Sequence, residues 1–308
     1  MLEFAVVELT DKCNLRCKHC YGSFSDGKTL NDDDIDIIIH ELKDNGCKRV
    51  TLSGGEPCIL GERLFDIADR FKKEGFVVAL VTNGTMVGID VHKYSCFDII
   101  QVSIDGLKDV HESIRGKGTF LKSIDSILSL KKVVKKVFAQ ITINSIIQYD
   151  FFKLLAFLDS LDIDLSVERV SLTGRASELD DIDFENYDKI LKKVIDRRLM
   201  SSDPLLNAKI CSINNIVPPD CFRNGCSAVV RGIAINTNLD VLPCVRIRRT
   251  IGNLATKGLE QVLESRESEA FKANIRGNKL CEKCRYENVC GGCKADNMVE
   301  ECMLFIMK

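Results

Sequence analysis

Three closely spaced cysteines place the strongest constraint on how this chain can fold. Cys13, Cys17 and Cys20 form the pattern CxxxCxxC directly after the apolar residues 2–9. Thiolate is a soft ligand that suits iron–sulfur clusters and zinc. A closed structural zinc site needs four protein ligands, whereas three thiolates on a four-iron cluster leave one iron open for a small molecule. The sequence therefore predicts a cluster-binding loop at the end of a first strand, with a zinc knuckle as the alternative.

Composition indicates a protein of a reducing compartment. The chain has 308 residues, 15 cysteines and a formal net charge of −2, which gives no basic field to attract nucleic acid or anionic lipid. No signal peptide precedes the first strand, and no run reaches the roughly 20 apolar residues of a membrane span. The odd cysteine count and the CxxC pairs favour metal ligands over disulfides. We therefore predict a cytoplasmic protein with no nucleic-acid or membrane partner.

Strand-like and helix-like segments alternate through the first half of the chain. Apolar runs follow the first strand at residues 49–52, 77–81, 97–103, 137–143 and 165–170, and helical patterns lie at 31–45, 64–71, 119–130 and 151–161. This alternation is typical of βαβ units around a parallel sheet. A charged helical pattern at 180–200, broken at 201–204, predicts a first domain of residues 1–200 and a second of residues 201–308.

Polar and glycine-rich turns follow several of the predicted strands. They are Ser53-Gly54-Gly55-Glu56-Pro57, Thr82-Asn83-Gly84 and Ser103-Ile104-Asp105-Gly106. Glycine allows a backbone to approach a ligand closely, and a carboxylate pairs with an ammonium group. Ordinary turn chemistry is the alternative for each segment, because Asn, Asp, Ser and Gly dominate turns.

The cysteine loop followed by Gly-Gly-Glu-Pro resembles the radical S-adenosylmethionine (radical SAM) superfamily. The resemblance implies an α/β fold with a partial (β/α)6 barrel and a 4Fe-4S cluster on Cys13, Cys17 and Cys20. In that family the open iron binds SAM, and reductive cleavage gives a 5′-deoxyadenosyl radical that abstracts hydrogen from the substrate. The barrel places function at the carboxyl ends of its strands.

The same resemblance implies which residues contact SAM. The implied contacts are Ser53, Gly54, Gly55, Glu56 and Pro57 at the methionine ammonium, Thr82 and Asn83 beside the cofactor, Ser103 and Asp105 at the ribose or carboxylate, Asn144 at the ribose and Gly174 near the adenine. Arg115, in a stretch similar to the family's HxxxRG, is expected to reach the active site or to serve as a helix C-terminal cation before a Gly cap.

Cysteines crowd the last third of the chain, and this region resembles the SPASM extension of radical SAM enzymes. That module binds one or two auxiliary iron–sulfur clusters and has a β-hairpin and short helices, the latter expected at residues 259–270. Its pattern implies one cluster on Cys221, Cys226, Cys244 and Cys293 and another on Cys281, Cys284, Cys290 and Cys302.

Two departures from the SPASM pattern leave this ligand partition open. Cys290 and Cys293 are two residues apart instead of three, and Asn238-Leu239-Asp240 fills a hairpin turn that usually holds Gly. Asn is expected to take the positive φ there. A structural zinc ribbon on the last two CxxC pairs is the alternative.

Cys211 is left over from this partition. It is expected to be a buried thiol, a ligand in place of Cys221, or a hydrogen-atom donor to a substrate radical. The lone Cys47, Cys58 and Cys96 are expected to act as small buried apolar residues.

The resemblance implies a peptide-maturase-like enzyme that cross-links, epimerises or similarly modifies a ribosomally made peptide. Alternatives are a sulfatase-maturase-like oxidase of protein side chains and a cofactor-biosynthesis enzyme acting on a small molecule or tetrapyrrole. A non-enzymatic electron carrier is disfavoured, because a carrier has no use for a SAM site. So few residues precede Cys13 that we expect no leader-binding domain ahead of the barrel, and recognition by the barrel mouth, the tail or a separate leader-binding protein. Flavodoxin or ferredoxin is the expected electron donor.

Overall fold

The computed structural model describes most of the barrel and part of the tail. It covers residues 2–180 except 23, 25, 26 and 89, then residues 183, 186, 189, 190 and 193, and finally residues 227–273. The predicted boundary at 201–204 lies outside the described residues. So do eight of the tail cysteines, namely Cys211, Cys221, Cys226, Cys281, Cys284, Cys290, Cys293 and Cys302.

Six parallel strands build the barrel wall. They are β1 (Phe4–Thr10), β2 (Arg49–Gly54), β3 (Val77–Thr82), β4 (Ile99–Ser103), β5 (Lys136–Ile143) and β6 (Leu165–Arg169). They lie side by side in chain order, and within the described residues β6 does not pair with β1. The wall is therefore open, which confirms the partial barrel.

Helices connect these strands. They are α1 (Asp32–Asp44), α2 (Glu62–Lys73), α3 (Lys108–Arg115), α4 (Phe120–Leu130) and α5 (Phe151–Ser160). Helix α1 begins and packs as its sequence pattern predicts. Asn31 and Asp34 form a reciprocal capping box, and Ile35, Ile38 and Leu42 are buried along one face. Of the helix predicted at 180–200, the described residues 186, 189, 190 and 193 are helical.

Short helices that the periodicity did not reveal follow several strands. Besides α3, four single-turn 3₁₀-helices occur in this part of the structure, at Pro57–Leu60, Val91–Cys96, Ile147–Tyr149 and Gly174–Glu178. Segments this short carry too few residues to show an apolar period. Those after β2, β5 and β6 lie at the carboxyl ends of the strands.

The tail hairpin extends the same sheet. Strand β7 (Gly232–Ile235) pairs in parallel with β1, and β8 (Asp240–Leu242) and β9 (Gly252–Asn253) follow as antiparallel strands. The predicted hairpin is confirmed. Its attachment to β1 brings the tail beside the strand that precedes the cysteine loop.

The hairpin turn differs from the prediction in one respect. The residue with positive φ is Leu239, at 64°, and Asn238 is not among the residues with positive φ. The Asn236 side-chain oxygen accepts the N–H groups of Asn238, at 2.9 Å, and Asp240, at 3.0 Å. Leu239 is buried in the core, and this burial offsets the cost of about 1–2 kcal/mol for a left-handed residue.

The single helix predicted at 259–270 is two helices, α6 (Leu259–Leu263) and α7 (Arg266–Ala273). Ser265 interrupts the pattern, because its hydroxyl accepts the Ser268 N–H at 3.2 Å and so caps the second helix. Among the described residues, no helix has the length and apolar character to cross a membrane.

Candidate active site

The loop that carries Cys13, Cys17 and Cys20 follows β1 and lies at the carboxyl ends of the strands. Cys17 is buried, and the other two cysteines are half-buried. The loop also contacts α3, because the Lys18 N–H donates to the Ile114 carbonyl at 3.1 Å. We call residues 13–24 the cluster loop.

The two glycines of Gly-Gly-Glu-Pro lie against the backbone that enters the cluster loop. The Gly55 N–H donates to the Thr10 carbonyl at 2.7 Å. A Cβ on Gly55 would lie 2.2 Å from the Lys12 carbonyl oxygen, and one on Gly54 would lie 2.5 Å from that of Thr10. Side-chain atoms cannot approach so closely, so these positions require glycine whether or not SAM also contacts them.

The Glu56 carboxylate is fully buried and holds neighbouring segments together. Its Oε1 accepts the Cys58 N–H at 3.0 Å and the Thr82 hydroxyl at 2.7 Å, and its Oε2 accepts the Asn83 N–H at 2.7 Å. Burial raises the pKa of Glu56, and these hydrogen bonds oppose the rise. A carboxylate has about four acceptor positions, and protein donors occupy three. The implied contact with the SAM ammonium remains a prediction.

Asn83, at the end of β3, binds directly to the cluster loop. Its amide nitrogen donates to the Asn14 side-chain oxygen at 2.9 Å, and Asn14 donates in turn to the Thr85 hydroxyl at 2.9 Å. The Asn83 oxygen accepts the Thr85 N–H at 2.8 Å. Sequence reasoning selected Asn83 but missed Asn14, which stands between two cysteines and whose partners are remote in sequence.

Asp105 and Arg115 form a buried network beside Cys17. The Arg115 Nε donates to Asp105 Oδ2, and its Nη1 lies 3.9 Å from the Cys17 Sγ. His19 Nε2 lies 3.2 Å from Asp105 Oδ2, and the Thr142 N–H donates to Oδ1 at 3.1 Å. Arg115 is the last residue of α3, before Gly116, and its side chain reaches Cys17 in the cluster loop. A contact of Arg115 with SAM remains a prediction.

Burial and neighbouring charges shift the pKa values of the groups in this network. Burial alone would raise the pKa of Asp105. The Arg115 guanidinium and the His19 and His111 imidazoles lower this pKa by more than burial raises it, so the net pKa lies below its usual value. Burial lowers the pKa of His19 to about 4. A carboxylate, a guanidinium and a neutral imidazole therefore surround Cys17. Asp105 is fully buried, and its contact with SAM remains a prediction.

The segment after β6 closes over the cluster loop. The Arg175 N–H donates to the Cys20 carbonyl at 3.0 Å, and its Nε donates to the Cys17 carbonyl at 2.9 Å. Gly174 has φ of 58°, and a Cβ there would lie 2.6 Å from the Cys20 carbonyl oxygen. Arg175 was missed as a site residue. Gly174 was selected, and its described contacts are with the loop.

Asn144, after β5, has the contacts of a cap. Its side-chain oxygen accepts the N–H groups of Ile146 and Ile147, at 2.9 and 3.2 Å, and its nitrogen donates to the Thr142 carbonyl at 3.0 Å. Ser53 and Pro57 are buried near the end of β2, and Ser103 is half-buried at the end of β4. Contacts of these residues with SAM remain predictions.

An ion pair joins the tail to β1, the strand that precedes the cluster loop, and no sequence pattern indicated it. Arg248, in the connection between β8 and β9, donates from Nη1 and Nη2 to the two carboxylate oxygens of Glu8 at 2.6 and 3.0 Å. The Tyr21 hydroxyl lies 3.4 Å from Glu8 Oε1. Glu8 was detectable only as a charged residue in an otherwise apolar strand.

The cluster loop supplies three thiol groups, the donor set that a 4Fe-4S cluster takes from a protein when one iron stays open. In the part of the chain that the structure describes, no group of three His, Cys, Asp or Glu side chains is placed to hold a single metal ion. Thiolates of a four-iron cluster bind different iron atoms and so need not converge. Burial raises the pKa of Cys13 to about 11 and also raises that of Cys17, so both side chains favour the thiol form and cluster binding must displace their protons.

In the tail, the described residues include one predicted auxiliary ligand, Cys244. It follows β8 and pairs with Ile247 in a tight turn, where the Ile247 N–H donates to the Cys244 carbonyl at 3.1 Å. The hairpin position expected for this cysteine is therefore confirmed. Its ligand role remains a prediction.

Comparison with protein families agrees with this geometry. Residues 7–148 match the model of the Radical SAM superfamily, and residues 226–293 match that of SPASM, an iron–sulfur cluster-binding domain. The chain therefore belongs to the radical SAM superfamily and carries a SPASM domain. SAM, a 4Fe-4S cluster and auxiliary iron–sulfur clusters are the cofactors of this class of enzyme.

Relatives of this chain have different activities. Pre-heme d1 synthase of Dinoroseobacter shibae is 30% identical over 205 residues, which cover 63% of this chain and only 50% of that protein. AdoMet-dependent heme synthase of Nitratidesulfovibrio vulgaris is 25% identical, over 96% of this chain and 89% of the relative. Mycofactocin maturase MftC of Mycolicibacterium smegmatis is also 25% identical, over 94% and 77%.

Solved structures share the fold. SuiB of Streptococcus suis, bound to its precursor peptide SuiA, superposes with a TM-score of 0.77 at 18% identity, over 99% of this chain and 74% of that one. The enzyme anSMEcpe with bound AdoMet gives a TM-score of 0.80 at 20% identity, over 99% and 92%. At these identities the likeness establishes the architecture.

Proposed function

We propose that this radical SAM enzyme holds its SAM-binding cluster on Cys13, Cys17 and Cys20 and modifies a ribosomally synthesised peptide. One observation carries the cluster assignment: segments after β3, β4 and β6 bind the loop that bears these cysteines, and the segment after β2 binds the backbone that enters it. Gly55, Asn83, Arg115 and Arg175 provide the contacts. An ordinary surface turn has no need of so many remote partners.

The chain's own residues would orient and shield the cofactor. Arg115 brings a fixed positive charge to Cys17, which favours thiolate, and Asp105 and His19 fix its orientation. When bound, the cluster and SAM supply the means to remove a hydrogen atom from an unactivated carbon. The protein contributes position, a water-poor environment and electrostatics.

Two kinds of relative support two kinds of substrate. The peptide proposal is supported by MftC, named a maturase, and by the shared fold of SuiB, which was solved with its precursor peptide. A tetrapyrrole is the second candidate, because heme synthase of N. vulgaris matches along 96% of this chain. A flavodoxin or ferredoxin as electron donor, a separate leader-binding protein and a cytoplasmic location remain parts of the proposal.

Anaerobic reconstitution tests the cluster assignment. The reduced protein should form 5′-deoxyadenosine from SAM, and replacement of Cys13, Cys17 and Cys20 by Ala should abolish this product. Cys47→Ala is the matched control, since Cys47 is a buried thiol that donates to the Arg49 carbonyl at 3.3 Å. Product formation by the triple variant would place the SAM cluster elsewhere.

Metal content tests the auxiliary sites. Three four-iron clusters would give about twelve iron atoms per chain and one would give about four. We expect more than four, with iron lost when Cys244 is replaced by Ala. Zinc in the tail with iron near four would instead identify a structural zinc ribbon.

The substrate class is decided by offering both candidates. The reduced enzyme is incubated with SAM and either peptides encoded beside its gene or Fe-coproporphyrin III, and each substrate is analysed by mass spectrometry. We expect a change in peptide mass, or deuterium uptake from D2O for an epimerisation. A modified tetrapyrrole with unmodified peptides would overturn the peptide proposal and leave the cluster assignment intact.

A further inference from the structure

The buried carboxylate of Glu8 lies at the junction of the barrel and the tail. Glu8 lies on β1, and its side-chain exposure is 0%. Arg248 provides the matching guanidinium from the connection between β8 and β9. Removing a carboxylate from water is costly unless it is paired and hydrogen-bonded. The two-oxygen contact with Arg248, at 2.6 and 3.0 Å, meets that requirement.

Arg248 also touches the cluster loop through two aromatic rings. Its Cζ lies 5.9 Å from the ring centroids of both Tyr21 and Phe24. These rings contact each other edge-on, with centroids 5.6 Å apart. A guanidinium near two rings is attracted to them and adds to the geometric control of its ion pair.

Arg175 holds the same loop segment through its backbone carbonyl groups. Both terminal nitrogens of Arg175 lie 3.3 Å from the Phe24 carbonyl oxygen, and its Nε donates to the Cys17 carbonyl. The cluster loop is thus fixed by Arg175 from the barrel and by Arg248 from the tail. Of these two, Arg248 alone is connected to the hairpin that contains Cys244.

We propose that Arg248 is a positioning residue for the SAM-binding cluster, through which the docked SPASM hairpin fixes the geometry of the cluster loop. The proposal rests on the assignment of that cluster to Cys13, Cys17 and Cys20. The auxiliary domain then has a mechanical role at the front cluster, independent of any electron transfer. Tyr21 links the two, because it follows Cys20 directly and its hydroxyl contacts Glu8.

The test uses the full-length holoprotein, reconstituted anaerobically. The front cluster is identified as the part of the reduced EPR spectrum that changes on adding SAM, and its loss is followed during incubation with an iron chelator. We expect Arg248→Gln to lose this SAM-responsive signal about tenfold faster than the parent, since loss of outer-shell partners typically weakens metal sites by at least that factor. Arg248→Lys should be intermediate, because Lys restores the charge without the two-point contact.

Arg231→Gln is the matched control. Arg231 also joins the tail to β1, through an ion pair with Glu3, but at the amino end of the strand and partly exposed to solvent. It should retain the parent rate. An equal acceleration in Arg231→Gln and Arg248→Gln would indicate general loosening of the tail and overturn the proposal.

A second variant separates positioning from folding. Arg248→Gln leaves Glu8 as an unpaired buried carboxylate, whereas the double variant Glu8→Gln, Arg248→Gln removes both charges. The double variant should recover much of the thermal stability while still losing the SAM-responsive signal faster than the parent. A parent-like rate in the double variant contradicts the positioning role.

The cysteine variants distinguish the two levels of inference. If the parent shows no SAM-responsive signal, or keeps it after replacement of Cys13, Cys17 and Cys20, the cluster assignment itself fails. If those replacements abolish the signal but Arg248→Gln decays like the parent, only the role of Arg248 is refuted.

Discussion

Arg115 and Asp105 form an ion pair that is almost completely removed from solvent, with side-chain exposures of 10% and 0%. Asp105 follows β4, and Arg115 is the last residue of α3. The Arg115 side chain also extends to Cys17. Buried pairs of this kind are sensitive to loss of either partner, because the remaining charge has no access to water.

Replacing Asp105 by Asn should therefore lower the free energy of unfolding by about 3–5 kcal/mol, the usual cost of leaving one member of a buried pair. Denaturant unfolding of the anaerobic protein measures the change. Asp162→Asn is the control, because the Asp162 side chain that pairs with Lys131 is itself fully exposed, and its loss should change stability by less than about 1 kcal/mol. Equal losses of stability in Asp105→Asn and Asp162→Asn would mean that the Asp105 carboxylate is not shielded from water.

His111 should make stability depend on pH. Its Nδ1 accepts the Asp105 N–H at 3.1 Å, and burial, assisted by the Arg115 charge, lowers its pKa from 6.5 to about 4. Between these values the unfolded chain binds a proton that the folded chain does not. The free energy of unfolding should therefore fall as pH is lowered from 6.5 towards 4, by up to about 3 kcal/mol.

Unfolding measured across this pH range checks that dependence. His111→Gln should make the profile shallower, since its amide oxygen can accept the same N–H without titrating. His19, whose pKa burial also lowers to about 4, should still contribute over the same range. His40→Gln should leave the slope unchanged, because His40 is exposed on α1. A His111→Gln profile as steep as the parent's would assign the slope to another group.

Gly174 and Gly61 offer a matched pair of backbone substitutions. Their φ values are 58° and 56°, but a Cβ on Gly61 would meet nothing within 4 Å, whereas one on Gly174 would collide with the Cys20 carbonyl. Gly61→Ala should cost only backbone strain, about 1–3 kcal/mol, because an L-residue rarely adopts its φ of 56° and ψ of −130°. Gly174→Ala should cost more in denaturant unfolding and also reduce retention of the front cluster. Equal costs would argue against the close approach.

Glu56→Gln should destabilise the protein even without SAM. The new amide NH2 would face the Thr82 hydroxyl or the Asn83 N–H, each of which donates to the carboxylate in the parent protein. One of these buried donors would lose its acceptor, at a cost of about 1–3 kcal/mol. Denaturant unfolding in the absence of SAM measures this directly. Glu62→Gln is the control, since Glu62 is exposed and pairs with Lys93 at the surface. Unchanged stability in Glu56→Gln would leave SAM binding as the main role of this carboxylate.

Much of the fold follows from local pattern. The alternation of apolar runs and helical periods predicts the six parallel strands and most of their helices, because each signal is contained within a few turns or a few residues. Asn31 marks the start of α1 through its own hydrogen bonds. The exceptions follow from the same principle: Ser265 divides a predicted helix by capping the second half, and Leu239 takes the left-handed turn position because its side chain is buried.

The cysteine loop and the polar turns were also visible in the sequence, since their residue types and short spacings carry their chemistry. What the turns do in the fold was not. Glu56, Asp105 and Asn144 all have protein partners that determine their contacts, and those partners come from other strands or from neighbouring backbone groups.

Residues close together in the chain were enough to predict the parallel strands and the three-cysteine loop, and the resemblance to the radical SAM superfamily predicted the partial barrel. What holds that loop in place became visible only in the folded chain. Glu8 and Arg248 are 240 residues apart in sequence, and they meet because β7 pairs with β1 and brings the tail beside it. No local period encodes such a pairing, since the two charged groups meet only when β7 has paired with β1.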